Sequence, residues 1–161
     1  MPATPIAAST RYFLPGTTKV LILPAVTNMT PTRVQINAGV DVSEEIASIS
    51  GWAITSETVA TPDLGVRFVK QVSGRLTAAV SGLQFYLDKT GAADIRTELE
   101  IDQEVFVVFM DGGDVEDSLM DVYEVNVASL AKLREIENVG RLDSRFTIRD
   151  FNENVAIPAA A

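Results

Sequence analysis

EVFVVFMDGGDVEDSLMDVYEVNVAS, residues 104–129, is the stretch on which the fold turns. From Val105 to Met110 every residue is apolar, so a strand here needs cover on both faces, from a sheet or from a neighbour. The cluster Asp111-Gly112-Gly113-Asp114 supplies turn chemistry and sends the chain back. Beyond it, Val122 and Glu124 alternate with Tyr123, Val125 and Val127, the two-residue period of a second strand. An antiparallel pair with little polar surface then has to be packed by the rest of the chain.

Outward from this pair, more short strands are expected. TKVLILPAV sets Val20 to Leu23 before Pro24, a compact apolar run that ends at the proline. TRVQINAGV alternates Val34 and Ile36 with Arg33, Gln35 and Asn37 and reads as a half-exposed strand leading into Gly39. In GLQFYLDKT, Leu83, Phe85 and Leu87 share one face and Gln84, Tyr86 and Asp88 the other. The last strand, RLDSRFTIR, turns Leu142, Phe146 and Ile148 inward. One amphipathic helix is expected from Thr90 to Leu99, with Thr90 as N-cap and Ile95 four residues before Leu99. A second helical turn fits Leu130 to Ile136. No strand-helix-strand repeat occurs, so the fold class is mainly β: a β-sandwich or partly open barrel of antiparallel strands with one flanking α-helix, a long early loop and extended terminal arms.

The loop is GVDVSEEIASISGWAITSETVATPDLG, residues 39–65, long for a connection within a sandwich and too apolar for a disordered linker. It carries Ile46, Ile49, Ile54 and the chain's only tryptophan, Trp52. Trp52 is either a lid on its own core or an anchor at an interface, where tryptophan is enriched. The N-terminal stretch MPATPIAASTRYFLPG has prolines at 2, 5 and 15 around Arg11, Tyr12, Phe13 and Leu14. Large apolar groups on such a non-helical arm cost roughly 1.5–3 kcal/mol each if left in water, so the readings are an arm that covers another subunit and one that folds back on its own core or merely frays. The tail FNENVAIPAAA repeats the formula with Phe151, Val155 and Ile157. The resulting division is a single domain over 1–161: an N-terminal arm 1–16, a β core 17–150 that includes the loop 39–65, and a C-terminal arm 151–161. Inter-subunit contacts are expected from Arg11, Tyr12, Phe13, Leu14, Ile46, Ile49, Trp52, Ile54, Phe151, Val155 and Ile157.

Composition narrows the chemistry. The 161 residues are 47% hydrophobic, enough for one core that buries about 70% of the unfolded surface. No apolar run reaches the roughly 18 residues of a membrane span, and the start lacks the layout of a signal peptide, so a cytoplasmic origin is expected. There is no cysteine and no histidine, which removes disulfides, thiol nucleophiles, thiolate zinc sites and the usual neutral-pH base. The acidic run DGGDVED, residues 111–117, lacks calcium-loop spacing, Glu98 and Asp102 read as solvated charges, and no glycine group matches a nucleotide loop. No catalytic, cofactor or metal residue is therefore nominated. A net charge of −9 argues against tight binding of nucleic-acid phosphates. That charge is uneven: residues 1–33 contain no acid, whereas Asp94 to Glu124 contain one base, Arg96.

The order RYFLPG, TKVLILP, TRVQINAG, a long loop with SGW, FVKQVSG, GLQFYLD, EVFVVFMDGG and DVYEVNVAS resembles, over nearly the whole chain, the tail tube proteins (major tail proteins) of long-tailed bacteriophages. The resemblance implies a structural protein, not an enzyme. It implies homohexameric rings, assembled in the bacterial host cytoplasm and stacked into the tube of a virion tail. Its partners would be a tape-measure protein and tail-terminator or baseplate proteins, with DNA passing through the lumen without specific binding. Many relatives add an immunoglobulin-like domain, which this sequence lacks before Ala161. A tube protein of a contractile tail or secretion system, or a single-ring tail-completion protein, is the alternative the resemblance leaves open. A monomeric sandwich that binds carbohydrate or peptide is a further one.

Overall fold

A computed structural model of the chain describes residues 14–90 and 95–160. Nine strands follow one another as β1 (Lys19–Leu23), β2 (Val40–Asp41), β3 (Ile46–Ser50), β4 (Ile54–Thr61), β5 (Lys70–Ala78), β6 (Ser81–Tyr86), β7 (Glu104–Met110), β8 (Leu119–Leu133) and β9 (Arg141–Ala156), with one short helix, α1 (Arg33–Asn37), between β1 and β2. Seven of them form one antiparallel sheet in the order β2-β1-β7-β8-β9-β6-β3, and β4 pairs only with β5. The fold is mainly β, a curled half-barrel with a small second sheet.

Chain connectivity dictates the curl. β2 and β3 are the two edges of the large sheet, yet they are consecutive, joined through a 3-10 turn at Ser43–Glu45. Six strand spacings of about 4.8 Å would hold the edges of a flat sheet roughly 29 Å apart. Five Cα steps from Asp41 to Ile46 span at most about 18 Å. The sheet must bend until its edges approach, and Val42, fully buried, is carried inward at that point.

Two cores follow from the two faces of the sheet. Inside the curl lie Val20, Ile22, Leu83, Phe85, Val105, Val107, Phe109, Tyr123, Val125, Val127, Leu142 and Phe146. On the opposite face, Leu21, Leu23, Val108, Met110, Met120 and Val122 meet Ile36 of α1 and Ile157. The all-apolar reading of residues 105–110 is thereby explained: alternate side chains of β7 enter different cores.

Several expected elements take another form. Residues 33–37, read as a strand, are helical because Thr32 and Gln35 form a capping box, with the Gln35 amide nitrogen of the backbone donating to Thr32 Oγ1 at 3.3 Å and Thr32 N–H donating to Gln35 Oε1 at 2.9 Å. Val34 is then exposed and Ile36 buried, which period-two alternation would have placed together. Gly39 follows because a Cβ there would lie 2.1 Å from a Leu23 methyl. The long loop 39–65 is mostly strand: β2, β3 and β4 fall within it. Of the helix expected at 90–99, residues 91–94 lie outside the described part, and Ile95–Thr97 form a 3-10 turn that buries Ile95. Leu130 is strand, not helix, since β8 runs to Leu133 in register with Arg141. The expected C-terminal arm is also strand as far as Ala156, and Val155 and Ile157 are buried in the second core. Arg33 fastens this end: its guanidinium donates to both carboxylate oxygens of Asp114 (2.9 and 2.8 Å) and to the carbonyls of Pro158 and Ala159.

Ile157→Ala is expected to lower the stability of the unassembled protein by ~2–5 kcal/mol, read as a fall in the urea midpoint. A free arm would leave that midpoint where it was.

Candidate assembly surface

The chain leaves the large sheet at a sharp corner, Gly51-Trp52. Both residues have positive φ, +77° and +62°, a conformation uncommon for any side chain other than glycine. Gly51 also has no room for a side chain, since a Cβ would lie 2.7 Å from the Val80 carbonyl. What holds Trp52 in this strained state is a full set of partners. Its ring lies 4.9 Å from Phe109, 5.3 Å from Tyr123 and 5.7 Å from Phe146, centroid to centroid. Its indole N–H donates to the Gly82 carbonyl at 3.2 Å, and its backbone N–H donates to Ser81 Oγ at 3.0 Å. Trp52 is thus a peg in its own subunit's core, the first of the two roles the sequence allowed.

Beyond this peg, β4 and β5 run as an exposed ribbon. Every residue of β5 is exposed, as is every residue of β4 after Ile54. Val59 pairs with Val72, Ser56 with Leu76, and the ribbon ends in PDLGVRFV, residues 62–69, with Leu64, Val66, Phe68 and Val69 in solvent. An isolated two-stranded hairpin is marginal in water, and this many large apolar groups in one projection mark a contact surface. The contact residues nominated from the sequence lie in the loop and the two arms and, apart from Ile54 at its root, do not include this ribbon. A signal was present in part: ITSETVAT is rich in β-branched residues, and Pro62-Asp63 with Gly65 between it and KQVSGRLTA is turn chemistry.

The nominated contact residues separate into three groups. Arg11, Tyr12 and Phe13 lie outside the described residues. Leu14, Ile46 and Ile49 come together around one groove of about 680 Å³ between the start of β1 and the free side of β3. Trp52, Ile54 and Phe151 pack against the inner core, and Val155 and Ile157 belong to the outer one. The C-terminal three are therefore engaged within their own subunit, because β9 continues through them.

Charge is distributed in pairs over β7, β8 and β9, the three central strands of the large sheet. Arg149 bonds Glu104 and lies 4.0 Å from Glu124, and Arg145 bonds Asp143 at 3.1 Å. Beside the groove, the Glu45 carboxyl is raised above its ordinary value by partial burial and then by Asp88, Asp41 and Glu44. The Tyr123 hydroxyl donates to Glu153 at 3.0 Å, and burial first, then that acceptor, raise its pKa well above 10. Among the described residues, no three acidic, histidine or cysteine side chains are grouped to hold a metal, and no helix is long and apolar enough to cross a membrane.

A protein-family model described as phage tail tube protein matches residues 7–161. No curated protein sequence matches significantly. Among solved structures, a chain in the cryo-EM structure of the anti-feeding prophage baseplate, 6-fold symmetrised, superposes with a TM-score of 0.58 at 15% identity, covering 96% of this chain and 98% of that one. That likeness is one of fold.

Two outcomes are expected from this geometry. Trp52→Ala should destabilise the unassembled protein by ~3–5 kcal/mol in chemical denaturation, since it empties a site lined by three aromatic rings. Tyr123 has its pKa raised in the folded state, so its stabilisation is full below the unfolded value near 10 and is lost as pH climbs above it. Wild type should therefore lose stability above about pH 10 more steeply than Tyr123→Phe, measured by thermal melts from pH 8 to 11.

Proposed function

The chain belongs to the phage tail tube protein family, a structural component of a viral tail, and from that premise we propose that it forms hexameric rings that stack into the hollow tube. The carrying observation is the β4–β5 ribbon, a hairpin with strand-pairing but no core of its own. Its exposed apolar residues are the natural cover for a second copy, and a contact between unlike surfaces repeats without closing along an axis. Six copies per ring is the number suggested by the symmetry of the baseplate that contains the similar fold.

In this reading the protein works as a sleeve around a tape-measure protein during assembly and as a conduit for DNA at ejection. It requires no chemistry. The net charge of −9 per chain supports an acidic inner wall, along which a phosphate backbone slides, whereas a basic wall would bind it with release of counterions. The N-terminal residues 1–16 are proposed to join subunits, and the contact also draws on Ile46 and Ile49.

Negative-stain electron microscopy of the purified protein tests the reading, with tubes of uniform width as the expected outcome. Replacing residues 55–77 by a two-residue turn should leave a folded β protein that forms no tubes. A chain that stays monomeric at high concentration, or a hairpin-less variant that polymerises as well as the intact one, would contradict it.

A further inference from the structure

The groove is apolar with an acidic rim, and the hairpin carries exposed apolar groups and an excess of basic residues. The groove runs between Thr17–Val20 and Ile46–Ile49, with Leu14, Val20, Ile46 and Ile49 as its apolar lining. β3 is an edge strand, with no strand on its groove side among the described residues. The rim is acidic: Asp41 and Glu44 line it, Glu45 stands next in the chain, and Lys19 is 3.8 Å from Asp41. The Glu45 carboxyl is raised first by burial and then by the negative charges of Asp88, Asp41 and Glu44.

The hairpin has the opposite character. In a chain of net charge −9, Ile54 to Ala78 carries three bases, Arg67, Lys70 and Arg75, against two acids, Glu57 and Asp63. Lys70 lies 3.9 Å from Asp63, and Arg67 is exposed between Val66 and Phe68. Leu64 and Phe68, the largest apolar groups of the tip, are 108% and 79% exposed. A volume of about 680 Å³ is within the range that accommodates such groups.

Reach decides which copy receives the tip. β4 is eight residues long, so at about 3.4 Å per residue it carries the tip roughly 27 Å from Ile54. The groove, by contrast, lies beside Ile46–Ile49, at the hairpin's own root. An extended ribbon therefore offers its tip to a different molecule. We propose that Leu64 and Phe68 of one copy seat in the β1–β3 groove of the next copy along the tube, with Arg67 against Glu44. The assignment rests on the stacked-tube reading and adds to it the receiving surface. Tip and groove are distinct surfaces of one chain, so the contact is heterologous and continues from ring to ring. The charged rim speeds docking and sets orientation, and the apolar contact holds it.

The absence of native cysteine makes crosslinking direct. Leu64→Cys chains and Ile49→Cys chains are mixed, assembled, oxidised and run on a non-reducing gel. The expected result is a covalent dimer in the mixture that neither variant gives alone. If either substitution stops tube growth, Arg67→Cys with Glu44→Cys reads the same contact from the rim. Tubes of normal yield without the mixed dimer overturn the groove assignment and leave the tube reading standing, as does a dimer formed by Leu64→Cys alone, which places tip against tip. An Ile49→Cys thiol shielded from a maleimide in the unassembled chain also overturns it, because the groove is then filled before a neighbour arrives. An unmodified chain that makes no tubes defeats the stacked-tube reading and this contact with it.

Discussion

Val105, Val107 and Phe109 point into the curl of the large sheet, while Phe106, Val108 and Met110 point out of its other face. β7 and its partner β8 therefore have to be covered twice, and the remaining structure is arranged around that need. One cover is the sheet itself, bent by the short link between β2 and β3 until Leu83, Phe85, Leu142 and Phe146 close over the inner side. The other is assembled from parts with little stability alone, the five-residue α1 and the chain end at Ile157. Arg33 joins these parts by bonding Asp114 and the carbonyls that follow Ile157. The Arg33 side chain is mostly buried while Asp114 is partly exposed, and each hydrogen bond to the charged guanidinium satisfies a donor that burial has taken from water.

With both faces of β7 satisfied within the subunit, the β4–β5 ribbon is left with no core to join. Trp52 marks the boundary between these regimes. It spends an unfavourable backbone conformation to set its ring among Phe109, Tyr123 and Phe146, and it fixes the direction in which the ribbon departs. Ser81 completes the corner, accepting from Trp52 N–H and donating to the Ala79 carbonyl, so both strands of the ribbon are rooted at one hydroxyl. A rigid root with an unpacked apolar tip suits a part that is ordered fully by a neighbour.

What the sequence made legible was strand content where alternation was strong. Leu83 with Phe85 and Leu142 with Phe146 are buried as their period predicts, and the apolar run at 105–110 does need two covers. Legibility failed where two physical readings share a pattern. Val34 and Ile36 alternate as a strand would, but the Thr32–Gln35 capping box decides the segment locally. The ribbon failed for a different reason: beyond Ile54 its strands bury nothing in the subunit, so no hydrophobic alternation distinguishes them from a loop. Phe151, Val155 and Ile157 looked like a free arm because β9 twists through shifted registers at β8, which breaks the period that would have exposed it as a strand. The groove was legible only in fragments, since Leu14, Ile46 and Ile49 are brought together by the curl and not by any local motif.

The central claim is that the β4–β5 ribbon is completed by a neighbouring subunit. Amide hydrogen exchange, followed by mass spectrometry on the unassembled protein and on the assembled tube, measures this directly. The account predicts rapid exchange across residues 54–78 in the free subunit and strong protection of the same peptides in the tube, with β7 and β8 protected in both. Equal exchange of residues 54–78 in the two states would contradict it.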